Sequence, residues 1–277
     1  MGSTRSTIVL KVYVVIIWAF LLFPLLIVVP ISFSNNTFLS FPPSNFGLRW
    51  YEEFFSDSGW VEATLLSLEL ASISSVVATF VGTLAVLAME RNDFRLKAAA
   101  QYFVYAPIIV PTIFIALGVF IFALRFGLSD NVMFLAMAHA TLAIPFVVLI
   151  VSAAHRQLEP TSEMAARVMG AGPVRAFFAA SFPALLPSIV ASLVFAFFIS
   201  VDELIVAEFL LSGRETLPMR IWANLRLELR PTLAAASTIL IVATVLGMTG
   251  AELLRRRSAA RIKKLPTKQR HTNGVTL

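Results

Sequence analysis

The sequence contains no cysteine among its 277 residues, and this absence excludes disulfides, thiolate metal sites and cysteine nucleophiles. Histidine is almost as scarce, with three residues and no HExxH pair, so a histidine metal site is not expected. Charged residues make up 14% of the chain, against about 25% in an ordinary soluble domain. Thiol chemistry is therefore excluded, and nothing predicts a bound metal.

Apolar residues are abundant instead, at 58%, and the mean hydropathy of +0.84 indicates an integral membrane protein. A transmembrane helix needs about 20 mainly apolar residues. Six stretches satisfy this length: 9–32, 61–89, 101–125, 131–154, 187–211 and 232–254. Within the third and fourth, Pro107, Pro111 and Pro145 remove helix hydrogen bonds and predict kinks. Residues 1–277 are thus predicted to form one all-α domain with six spans in a lipid bilayer.

The distribution of Lys and Arg predicts the orientation of these spans, because basic residues are enriched in cytoplasmic segments. Sixteen of the 22 basic residues fall on the side of the N-terminus, and six fall on the other side. Eight of them lie in the tail 255–277, where a basic segment beside a span is typical of contact with anionic lipid, not nucleic acid. Both termini are therefore predicted to be cytoplasmic.

Two sizeable segments are then predicted to be external. Residues 33–60 combine prolines with aromatic residues, which indicates a loop with a short interfacial helix. Residues 217–230 place five apolar residues on one helical face, which predicts an amphipathic helix at the membrane surface. These apolar residues are Leu217, Ile221, Trp222, Leu225 and Leu229.

A short polar segment within 155–186 separates the fourth and fifth spans. Pro160 suits the first turn of a helix, Ala165 and Ala166 extend it, and Gly170 or Gly172 can end it in a left-handed conformation. The predicted helix has about three turns and is too short to span a bilayer. Taken alone, it is either an ordinary surface helix or a contact site for another protein.

This segment, "EMAARVMGAG", resembles the EAA loop of permease subunits from binding-protein-dependent ABC importers. Five residues match the pattern: Ala165, Ala166, Gly170, Ala171 and Pro183. Phe182 stands where leucine is usual, and Met164 stands where glutamate is usual, with Glu163 one residue earlier. Further segments such as "YAPIIVPTIF" and "FFISVDELIVAEFLLSG" are similar to the spermidine/putrescine-type permeases.

The resemblance implies a type I ABC importer permease with six transmembrane helices and a cytoplasmic coupling helix between spans four and five. It implies a bacterial inner-membrane location and three partners: a second homologous permease, an ATPase dimer and an external solute-binding protein. The residues expected to dock on the ATPase are Glu163, Met164, Ala165, Ala166, Arg167, Gly170 and Ala171. The chain has no GxxxxGK[ST] phosphate loop, so it is not predicted to be an enzyme, and ATP and Mg are expected on the partner.

Ionisable residues inside spans are costly and indicate a transport pathway by default. Those predicted to lie on it are Asp202, Glu203, Glu69, His139 and Glu208. A cluster of carboxylates would attract a cation, in agreement with a polyamine-like solute. The alternatives are that Glu208 contacts external water, that Asp202 or Glu203 pairs with a partner's arginine, and that His139 only joins two helices.

The solute itself stays open at this point. An amino-acid derivative or an aminophosphonate would use the same machinery as a polyamine. A secondary ion-coupled carrier is a more distant alternative, because the sequence shows no internal repeat of the kind common in such carriers.

Overall fold

The computed structural model describes residues 2–91, 94–158, 160–227 and 230–263, and these residues form helices joined by turns. The helices are α1 (Gly2–Ser32), α2 (Arg49–Ser56), α3 (Ser58–Arg91), α4 (Lys97–Ile109), α5 (Thr112–Phe126), α6 (Val132–His155), α7 (Pro160–Val168), α8 (Pro173–Ala176), a π-helical turn (Phe177–Ser181), α9 (Phe182–Val201), α10 (Ile205–Leu210), α11 (Leu217–Leu227) and α12 (Thr232–Lys263).

Five helical segments in the described part of the chain are long and apolar enough to cross a membrane. They are Val9–Ser32, Ser58–Arg91, Val132–His155, Pro173–Val201 and Thr232–Leu253. A sixth candidate is the pair α4 and α5, whose axes are bent by 102°. The all-α fold with five to six spans agrees with the class that the sequence predicts.

The third predicted span, 101–125, is not one continuous helix. α4 ends at Ile109, Val110 is extended with φ −78° and ψ 127°, and α5 begins at Thr112. Pro111 lies between the two helices, lacks an N–H group and disfavours the helical conformation of the residue before it. The kink predicted at Pro111 is therefore present, but it is a 102° break rather than a bend within one span.

The fifth predicted span, 187–211, also has different bounds. α9 begins at Phe182, five residues earlier than predicted, and ends at Val201. A separate short helix, α10, begins at Ile205. The helix breaks here because the side chain of Glu203 accepts hydrogen bonds from backbone N–H groups of α10 and so starts a new helix.

One compact unit comprises Leu68–Ser212 and Val245–Leu277. Its core lies where α6 packs against α3 and α9, with small residues in α6 that allow close approach. A Cβ atom added at Gly82 of α3 would lie 2.7 Å from Cγ1 of Val147 in α6, so the two helices are in close contact there. The buried residues at this crossing include Ala78, Val86, Ala140, Ala143, Val147, Val151 and Ala196.

The other unit comprises Met1–Ser67 and Gly213–Thr244, so the chain divides within α3, within α12 and in the segment between α10 and α11. Its core contains Phe54, Trp60, Leu217, Leu233 and Ala236. The predicted amphipathic helix forms as α11 and buries its first residues in this core. Glu228 and Leu229 of the predicted segment lie outside the described residues, as does the tail beyond Lys263.

Candidate functional site

Helix α7 ends as the sequence predicts, at a glycine in the left-handed region. Gly170 has φ +92°, which side chains disfavour. Its N–H donates to the carbonyl oxygen of Arg167 at 2.9 Å, and the N–H of Ala171 donates to that of Ala166 at 3.0 Å. These two bonds are those of a Schellman motif, so the last carbonyls of α7 are satisfied. Gly172 has φ −62° and directly precedes α8.

The next feature of the loop is the carboxylate of Glu163 in the first turn of α7. Its Oε2 accepts from Arg91 Nη2 at 2.5 Å and from Ser181 Oγ at 2.6 Å, and its Oε1 lies 3.3 Å from Arg167 Nη2. The side chain is 16% exposed. Partial burial opposes ionisation, but the Ser181 hydrogen bond and the two arginine charges outweigh it and hold the pKa of Glu163 below its ordinary value. The carboxylate is thus charged at neutral pH.

The exposed surface of α7 combines apolar residues with the polar Thr161, Ser162 and Arg167. Met164 is 63% exposed, Val168 88% and Met169 81%. Ala165 and Gly170 are also exposed, whereas Ala166 and Ala171 are half-buried. The residues predicted to dock on a partner therefore divide into two groups: Glu163 faces α3 and the π-helical turn, and most of the others face outward.

The chain enters α9 through an aromatic cluster. Phe177 in the π-helical turn is buried, and its ring is in edge contact with the rings of Phe178 and Phe182. The guanidinium carbon of Arg91 lies 4.7 Å from the centroid of the Phe177 ring, within the range of a cation–π contact. The end of α3 that carries Arg91 therefore contacts both α7 and the π-helical turn.

A second polar cluster lies at the break between α9 and α10. Glu203 accepts backbone hydrogen bonds from Ile205, Val206 and Ala207 at 3.0 to 3.3 Å. Its Oε2 lies 3.5 Å from Nε2 of His139 in α6, and Nδ1 of His139 lies 2.8 Å from the hydroxyl of Ser200. His139 is 1% exposed and the Glu203 side chain 8%. These two residues join α6 to the helix break and face the protein interior.

The remaining residues predicted to contact a solute have exposed side chains. Asp202 is exposed at the end of α9, next to the buried Glu203. Glu208 is exposed on α10, and Glu69 is exposed on α3. Of the five predicted pathway residues, the structure brings together only His139 with Glu203. Among the described residues, no three His, Asp or Glu side chains form a group that could hold a metal ion.

Three residues of these clusters were not predicted from the sequence. Arg91 contributes to the predicted orientation of the spans, but the sequence around it does not indicate that it pairs with Glu163, 72 residues later. Ser181 and Ser200 lie in apolar stretches where serine is unremarkable. Only the packing of the helices brings them to Glu163 and His139.

The fold and the loop define a class: a helical membrane protein of several spans, with a short exposed helix between two of them. The family of "Binding-protein-dependent transport system inner membrane component" matches residues 78–264, which is more than half of the chain. The chain belongs to this family, and it is a permease subunit of an ABC importer, as the sequence predicts.

Individual relatives agree with this assignment. The putrescine transport system permease protein PotI of Escherichia coli (strain K12) is 27% identical over 262 residues, which are 91% of this chain and 93% of the relative. The spermidine/putrescine transport system permease protein PotC of Haemophilus influenzae is 28% identical over 249 residues, with coverage of 89% and 96%. A bacterial ABC transporter involved in the import of the acidic polysaccharide alginate has the same fold, with a TM-score of 0.70, 16% identity and coverage of 92% and 96%.

Proposed function

We propose that this permease forms half of a translocation pathway for a small polyamine-like cation, delivered by an external binding protein. A second homologous permease forms the other half. The supporting observation is the helix break after Val201, which leaves the carboxylate of Asp202 exposed while the neighbouring Glu203 is held in the interior. A carboxylate on the transport path attracts a cation, and the attraction is stronger where the surroundings have a lower dielectric than bulk water.

The two named relatives support the choice of solute. Their names specify putrescine and spermidine/putrescine, which are cations at neutral pH. The fold alone carries no such information, because the alginate transporter shares it and imports an acidic polymer. An amino-acid derivative or an aminophosphonate is the second candidate, and both would bring an amine to the same carboxylate.

In this proposal α7 is the coupling helix, and the exposed apolar surface around Met164, Val168 and Met169 docks on one subunit of an ATPase dimer. ATP and Mg bind to that partner and not to this chain. Solvent-exposed apolar patches of this kind are typical of interaction sites. Both termini and α7 lie on the cytoplasmic side of the bacterial inner membrane, in accordance with the distribution of basic residues.

The test of the solute pathway is uptake by the complete complex carrying Asp202→Asn. Loss of the charge should reduce putrescine or spermidine uptake by about tenfold, equivalent to about 1.4 kcal/mol, without a loss of assembled complex. Asp202→Glu keeps the charge and should retain most of the uptake. Glu62→Gln removes a different exposed carboxylate, on α3, and is the matched control.

Two results would contradict the proposal. The first is parental uptake by Asp202→Asn at normal expression, which would remove Asp202 from the pathway. The second is a cognate binding protein whose thermal stability rises with an aminophosphonate or an amino-acid derivative but not with polyamines, which would select the second candidate.

A further inference from the structure

The side chain of Arg91 connects three elements that are far apart in sequence. It is the last residue of α3, its guanidinium donates to Glu163 of α7 at 2.5 Å, and it lies over the ring of Phe177 in the π-helical turn. The Arg91 side chain is 30% exposed, so neither contact is fully solvated. A charged pair that is partly buried and shares further hydrogen bonds is held more firmly than an isolated surface pair.

Glu163 is the point at which these contacts meet. The same Oε2 that accepts from Arg91 also accepts from the hydroxyl of Ser181, a buried residue directly before α9. The carboxylate therefore binds the end of α3 and the start of α9 at once. The lowered pKa of Glu163 agrees with this arrangement, because the charged form is the one that all three partners stabilise.

We propose that Arg91, Glu163 and Ser181 form a latch that fixes the coupling helix α7 to α3 and α9, so that displacement of α7 moves both spans. Glu163 is then a positioning residue and does not contact the ATPase. The inference rests on the proposed docking of the ATPase on α7. It assigns to the latch the step that follows docking, the transfer of movement from α7 into the membrane.

The latch matters for coupling because α7 has only nine residues and ends at the left-handed Gly170. A short helix held only by its chain connections would rotate about them when pushed, and the spans would not follow. The contacts of the Glu163 carboxylate with Arg91 of α3 and Ser181 of the π-helical turn restrict that rotation. The exposed surface of α7, on Met164 and Val168, stays free for the partner.

A nearby ion pair provides a matched control. Arg156, just after α6, donates at 3.1 Å to Glu90, the residue before Arg91. The Arg156 side chain is 67% exposed. This pair lies at the same end of α3 and has the same chemistry, but it does not involve α7. Its loss should not affect coupling.

The experiment compares Arg91→Gln, Glu163→Gln, the double variant and Arg156→Gln in the complex reconstituted with its ATPase, second permease and binding protein. All four should retain the ATPase during purification. The stimulation of ATP hydrolysis by loaded binding protein should fall at least about fivefold in the first three, and remain parental in Arg156→Gln. The double variant should be no worse than either single variant, because all three break the same link.

Ser181→Ala is a milder variant for the case in which Arg91→Gln does not fold, since it removes one hydroxyl group. It should reduce stimulation by about twofold to threefold, because one of the two contacts that link Glu163 to other elements is lost. Parental stimulation in Ser181→Ala and Glu163→Gln would overturn the latch, and so would losses that multiply in the double variant.

The latch and the docking site fail in different ways. If Glu163→Gln releases the ATPase during purification, Glu163 belongs to the docking surface and the latch is wrong. If instead Met164→Asp, in the exposed surface of α7, leaves ATPase binding and stimulation at the parental level, the docking of α7 is wrong whatever the latch variants do.

Discussion

Gly170 offers a perturbation whose cost is confined to the backbone. Its φ of +92° is unfavourable for any residue with a side chain, yet a Cβ atom added there would meet nothing within 4 Å. Substitution therefore creates no clash and acts only on the turn that ends α7. Gly172, two residues later, has equally open surroundings and an ordinary φ of −62°. Gly172→Ala is thus a matched control in the same loop.

The expected magnitude follows from the left-handed conformation. An L-residue in this region costs about 1–2 kcal/mol, and a β-branched residue costs more. Since about 1.4 kcal/mol is a factor of ten in an equilibrium constant, Gly170→Ala should deplete the native turn roughly 5- to 30-fold relative to alternative turns. Gly170→Val should deplete it further. Gly170→Asn should have the smallest effect, because asparagine tolerates positive φ better than other side chains.

The assay measures ATP hydrolysis by the reconstituted complex with and without loaded binding protein. Stimulation should decrease in the order Gly172→Ala, Gly170→Asn, Gly170→Ala and Gly170→Val, with Gly172→Ala at the parental level. All variants should insert and pair with the second permease, because the spans are unchanged. If Gly170→Val co-purifies with the ATPase and is stimulated normally, α7 is only a connector. If Gly172→Ala loses as much as Gly170→Ala, the left-handed backbone is not the cause.

Two further predictions concern orientation and packing. Single cysteines can replace Ser58 and Arg256 in this cysteine-free chain. In intact cells an impermeant maleimide should label the cysteine at position 58 and not the one at 256. Labelling at 256 would reverse the proposed orientation. Gly82→Ala should lower the thermal unfolding midpoint of the purified complex, at a cost of about 1–3 kcal/mol, because its Cβ would lie 2.7 Å from Val147 Cγ1. Val147→Ala should partly restore the midpoint in the double variant. Gly118→Ala, in open surroundings, is the control. Equal unfolding midpoints for Gly82→Ala and Gly118→Ala would contradict the argument.

The features that depend on local sequence were predicted well. Hydropathy predicts a span at 61–89, and α3 extends from Ser58 to Arg91. The glycine after an Ala-rich helix predicts a left-handed end, and Gly170 has it. Both predictions succeed because burial in lipid and backbone sterics act on each segment by itself.

The features that depend on packing were not predictable. Pro111 predicts an interruption of the third span, but the 102° angle between α4 and α5 is set by what the two helices pack against. In the same way, Arg91 and Ser181 belong to the site only because α3, α7 and α9 meet there. Hydropathy and motif spacing contain no information on which helices pack together.

The two glutamates of the site show why a motif predicts a position better than a role. Successive residues in a helix point about 100° apart, and a break in a helix also turns the chain, so one of two neighbours can face the interior while the other faces outward. Glu163 is held by α3 while Met164 is exposed, and Glu203 is held by α10 while Asp202 is exposed. In both places the buried carboxylate is occupied by groups of this chain, and its neighbour is the one free to meet a partner or a solute. If α7 docks on the ATPase as proposed, Met164 in place of the usual glutamate changes the chemistry of the exposed contact, whereas Glu163 keeps its contacts with Arg91 and Ser181.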